Sequence, residues 1–69
     1  MRKFAERLKE LREEKQLSKL ALSKILKVGD ANIILWERGE QDILSDNLIK
    51  ISQFFNVSVD YLLGLSNDC

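Results

Sequence analysis

Histidine and proline are absent from these 69 residues, cysteine occurs once and glycine three times. Without histidine the commonest proton shuttle and the commonest zinc ligand are missing. A single cysteine, Cys69, cannot close an internal disulfide and reads as a free, exposed thiol. So small a domain normally relies on a disulfide, a metal or very regular helix packing. The first two are excluded, and short packed helices remain. No apolar run approaches the roughly 20 residues of a membrane span, and no signal-peptide pattern opens the sequence. A cytoplasmic protein without membrane contact is expected. No nucleophile–base pair, paired-carboxylate site or phosphate-cradling glycine loop can be assembled, and the chain is too short to wall off a sizeable pocket. The expectation is a non-enzyme with no cofactor, no metal and no small-molecule substrate.

What is present is charge, unevenly placed. The net charge is zero, with 11 basic and 11 acidic residues. Residues 1–29 carry nine bases against four acids, a surplus of +5, and residues 30–69 carry two against seven, a deficit of −5. Such asymmetry fits either a mixed solvated surface or a face able to meet polyanions.

Apolar periodicity predicts five short helices and no strand. Phe4, Leu8 and Leu11 form one stripe of a helix over about Lys3–Lys15, with Arg7, Glu10 and Glu14 on its outer side. Gln16 and Leu17 turn the chain. Ser18 is an N-cap for a second helix to Leu26, burying Leu22 and Leu26. Lys27, Val28 and Gly29 make a tight turn. A third helix, about Asp30–Arg38, turns Ile33, Trp36 and Glu37 inward, with Gly39 as its C′ residue. Asp30, in its first turn, complements the helix dipole. After a loop over residues 40–44, Ser45 is expected to cap a fourth helix to Phe55, striped by Leu48, Ile51 and Phe55, and Asn56 to stop it in the left-handed conformation. Ser58 caps a last helix, Val59–Leu63, closed by Gly64. Residues 1–64 read as one domain, and 65–69 as a flexible tail. The second and third helices, joined by a three-residue turn, fit a helix-turn-helix. Arg12 and Glu37 lie at the edges of apolar stripes, where opposite charges need each other.

Several runs then coincide: Phe4-Ala-Glu-Arg-Leu-Lys-Glu-Leu-Arg-Glu-Glu-Lys15, Leu17-Ser18, Leu22, Leu26, Val28, Ile33, Trp36-Glu37-Arg38-Gly39-Glu40, Asn47-Leu48-Ile49-Lys50, and Phe54 through Gly64 with its Val57-Ser58-Val59-Asp60-Tyr61-Leu62-Leu63. Over nearly its whole length the chain resembles the lambda-repressor-like, Cro/repressor-type (XRE family) helix-turn-helix domains. The resemblance implies an all-α, five-helix fold and a bacterial or phage transcriptional regulator, a repressor in type. It further implies a homodimer on a near-palindromic operator of double-stranded DNA, the third helix in the major groove, and a core ion pair between Arg12 and Glu37.

The resemblance implies backbone contacts at Ser18, Lys19 and Arg38, with Lys27 and Lys15 as weaker candidates. The groove-facing positions are Asp30, Ala31, Asn32 and Leu35. They are poor in hydrogen bonders, since bases are usually read by Arg, Lys, Asn or Gln. Ala31 and Leu35 suit thymine methyls, and Asp30 fits either cytosine or the helix dipole. Lys19 stands where the family commonly has glutamine, Leu20 where an acid is common and Lys27 where glycine is usual. The loop Glu40-Gln41-Asp42-Ile43-Leu44 lacks the usual proline and basic residues. Dimerisation is expected through the last helix, around Leu62 and Leu65, with Ile43 or Leu44. The alternative reading is a protein-interaction module on the same fold, binding DNA weakly or not at all. It would use Leu20, Ile34 and Leu35.

Overall fold

The computed structural model describes residues 2–68. Its helices are α1 (Arg2–Glu14), α2 (Lys19–Leu26), α3 (Asp30–Glu37), α4 (Ser45–Phe55) and α5 (Val59–Leu62), with no strand among the described residues. Each apolar stripe turns inward. Phe4, Leu8 and Leu11 of α1, Leu22 and Leu26 of α2, Ile33 and Trp36 of α3, Leu48, Ile51 and Phe55 of α4, and Leu62 of α5 form one buried cluster. Phe54 lies edge-on to Phe55, centroids 4.8 Å apart. Helices of four to thirteen residues are marginal alone, so shared burial is what stabilises them. α3 packs on α2 and α1, while α5 closes the domain against α1 and α4.

The starts of α2 and α5 follow the sequence reading. Ser18 Oγ accepts from Ala21 N–H at 3.0 Å and Ser58 Oγ from Tyr61 N–H at 2.9 Å. Ser45 does not cap α4. Leu44 holds the extended cap conformation (φ −72°, ψ 150°) without a side-chain bond, and Ser45 is already helical. Asp46 supplies the first-turn charge instead.

All five helix ends use one device. The residue after the last turn is left-handed: Gln16, Lys27, Gly39, Asn56 and Gly64. In each case the next amide reaches back five residues, as Val28 N–H to Ser23 O at 3.0 Å and Glu40 N–H to Leu35 O at 2.9 Å. These are Schellman closures, which satisfy otherwise orphaned carbonyls. Gly29, expected as turn punctuation, has φ −69° and is the N-cap of α3. The positive φ of that turn falls on Lys27, at 59°.

Within the Leu65–Asp68 segment, read as a tail, Ser66 and Asn67 are bonded to α1. Arg7, placed outside by periodicity, is half-buried. Its guanidinium lies 4.1 Å over the Tyr61 ring and donates to Tyr61 O, to Ser66 O at 2.6 Å and to Asn67 Oδ1 at 3.0 Å. α5 packs against α1 and so brings these groups within reach. Cys69 lies outside the described residues. Leu62 is fully buried, so it is a core residue and not a contact surface.

Candidate nucleic-acid interface

The geometry of the site begins with one ion pair. Arg12 on α1 donates from Nε to Glu37 Oε2 at 2.6 Å and from Nη2 to Oε1 at 3.0 Å. Its Nη1 also donates to Leu17 O at 2.8 Å. One side chain therefore joins α1, the last residue of α3 and the entry to α2. The two side chains are 11% and 4% exposed. The hydrogen bond to Glu37 holds the guanidinium pKa above its ordinary value, outweighing the opposing effect of burial. A paired, bidentate geometry is what such buried charges require.

Lys50, which the sequence reading left without a role, reaches from α4 to donate to Leu26 O at 3.2 Å. It ties the α2–α3 turn to the domain body and places a cation at the C-terminal end of α2, where the helix dipole favours one.

With Ile33 and Trp36 buried and Glu37 held by Arg12, the outward face of α3 is set by helical geometry. It carries Ala31, Leu35 and Arg38, flanked by Ile34 and Asn32. Ala31 and Asp30 are exposed, whereas Asn32, Ile34 and Leu35 are half-buried. Lys19 and Lys27 are exposed at the first turn of α2 and at the α2–α3 turn. The Ser18 hydroxyl is engaged as the α2 cap. Arg38 is exposed, with Nε 3.4 Å from Glu40 Oε2. Lys15 leans over Phe54, 5.7 Å from its centroid. Of the alternative apolar face, Leu20 is exposed.

The structure thus places Ser18, Lys19, Lys27, Asp30, Ala31 and Leu35 on the helix-turn-helix, with Arg38 at its far end and countered by an acid. Arg7 and Lys50 were missed because their partners are backbone carbonyls on other elements, which no local pattern encodes. No described helix is long and apolar enough to cross a membrane.

Known proteins share this fold. The chain is 39% identical over 61 residues to the HTH-type transcriptional regulator ImmR of Bacillus subtilis, covering 88% of this chain and 48% of that protein. It therefore spans about half the length of that relative. Among solved structures, the P22 c2 repressor in complex with a synthetic operator superposes with a TM-score of 0.85 at 32% identity, over 91% of this chain and 96% of that one. The restriction-modification controller protein C.AhdI from Aeromonas hydrophila superposes at 0.79 and 28% identity, over 88% and 92%. The family model for a helix-turn-helix domain matches residues 5–67, and the chain belongs to that family.

Proposed function

We propose that this chain is the DNA-binding domain of a bacterial or phage transcriptional regulator of repressor type, acting in the cytoplasm. It binds a near-palindromic operator as a homodimer, with α3 in the major groove. The observation that carries the reading is the α2–α3 pair, tied to α1 through Arg12–Glu37, with Asp30 and Ala31 exposed at the start of α3. It has the fold of a repressor solved on its operator. Ser18, Lys19, Lys27 and Arg38 contact phosphates, and Asp30, Ala31, Asn32 and Leu35 face the bases. With Leu62 in the core, the apolar residues left at the C-terminal end for a two-fold contact are Leu65 and, at the start of α4, Leu44, each 75% exposed. A dimer sets two reading helices about 34–36 Å apart, one DNA turn.

Affinity on this reading rests on few phosphates, about two to four per subunit, each adding about −0.9 to the salt slope. The test is fluorescence anisotropy on a duplex selected from random sequence and on a scrambled duplex, at two salt concentrations. Salt-sensitive binding with preference for the selected duplex supports the reading. Absence of binding to either at low salt overturns it.

A further inference from the structure

We propose that Lys50 is a positioning residue for DNA binding: it grips the Leu26–Lys27 peptide and so holds the α2–α3 turn in the left-handed form that presents both helices to the duplex. This rests on the DNA-binding reading above and adds to it a residue outside the helix-turn-helix.

Of the left-handed residues, Gly39, Gly64 and Asn56 adopt that conformation readily. Gln16 and Lys27 do not, because an ordinary side chain there crowds the following carbonyl. These two stand on either side of α2, and a cation from another helix braces each turn on a neighbouring carbonyl. Arg12 Nη1 of α1 donates to Leu17 O at 2.8 Å, and Lys50 Nζ of α4 donates to Leu26 O at 3.2 Å. Leu26 O belongs to the same peptide as the Lys27 N–H, which donates to Lys24 O at 3.3 Å. The peptide leading into the left-handed residue is thus held at its oxygen and at its nitrogen. Among the described residues no carboxylate comes within salt-bridge distance of Lys50, so the carbonyl is the partner of its charge. Only Lys27, Val28 and Gly29 separate α2 from α3. A rotation of this peptide therefore passes directly into the direction of α3 and of the Lys27 side chain. Without the brace the domain stays folded, the turn samples other conformations, and only the fraction in the native form binds.

The experiment compares the wild-type chain with Lys50→Met, which keeps the stem and removes the donor, and Lys50→Arg, which keeps a donor. Lys50 is exposed, so both variants keep the fold, and a thermal melt checks them. Affinity for a duplex selected from random sequence is read by anisotropy at several salt concentrations. Hydrogen exchange is read at the Val28 amide, which is bonded to Ser23 O across the turn. Lys50→Met should weaken binding and speed exchange by about three- to fivefold, the weight of one partly exposed hydrogen bond, with the salt slope unchanged. Lys50→Arg should restore both. In a Lys27→Gly background Lys50→Met should change neither, because glycine is left-handed at no steric cost. A slope lowered by about one unit would make Lys50 itself a phosphate contact and overturn the inference. An equal loss in both backgrounds, or unchanged binding in Lys50→Met, would also overturn it while leaving DNA binding intact. Failure of the wild-type chain to bind any duplex would overturn both.

Discussion

Arg12 and Glu37 meet head-on, with two hydrogen bonds of 2.6 and 3.0 Å between side chains that are nearly withdrawn from water. The pair ties the last residue of α3 to α1. Arg12→Ala or Glu37→Ala should each cost about 3–5 kcal/mol, because each strands a buried charge. A double-mutant cycle by urea denaturation should return strong positive coupling. Additive losses would mean the two charges act independently.

Trp36 is 2% exposed, and its Nε1–H has no partner. Trp36→Ala should cost about 3–5 kcal/mol and largely unfold so small a domain. Trp36→Phe should cost far less, below about 1.5 kcal/mol, because it removes an unsatisfied donor along with the lost volume. Chemical melts distinguish the two.

Lys27 holds φ 59° in the turn before α3. A left-handed side chain is disfavoured by about 1–2 kcal/mol, partly offset by the greater chain entropy that glycine loses. Lys27→Gly should therefore stabilise the domain by about 0.5–1 kcal/mol while weakening DNA binding by one phosphate contact. Gly64 is the contrasting position. At φ +80°, an added Cβ would lie 2.7 Å from Lys3 Cγ, so Gly64→Ala should destabilise by more than about 1 kcal/mol.

Glu40 lies 3.4 Å from Arg38 Nε and, on the proposed DNA-binding reading, would compete with phosphate for it. Glu40→Gln should tighten DNA binding and steepen the salt slope by about one unit per subunit, and Asp30→Asn should tighten it too. Lys19→Ala should flatten the slope by about the same amount. Anisotropy at several salt concentrations reads all three, and an unchanged slope in Lys19→Ala removes that residue from the phosphate contacts.

Arg7→Ala should release residues 66–68. The expected result is a fall in their backbone order parameters, with little change in α2 and α3. Unaltered order there would mean that the guanidinium does not hold the segment.

The helices, their buried stripes and two serine caps were legible in the sequence because each depends on residues within one or two turns of one another. Trp36-Glu37-Arg38-Gly39 announced both an inward face and its stop. The candidate site was legible as positions that the family resemblance implies, while helical spacing alone set only which face of α3 is outward, with Ala31 and Leu35 opposite Ile33 and Trp36. Ser45 was misplaced by one residue, because serine next to a helix start is a cap only if its own backbone is extended. At α4 that conformation belongs to Leu44.

The amino-acid order by itself determined which side chains are apolar on one helical face, and hence five helices around one core. Tertiary structure decided what the polar and flanking residues do. Arg7 became a clamp because packing α5 on α1 delivers the carbonyls of Tyr61 and Ser66 to it. Lys50 became a brace because α4 crosses near the end of α2. Leu62 went to the core. Lys27 took the left-handed turn, with Gly29 next to it in ordinary backbone. Hydrophobic burial follows a local period, whereas hydrogen-bond partners from distant segments exist only after the helices have docked.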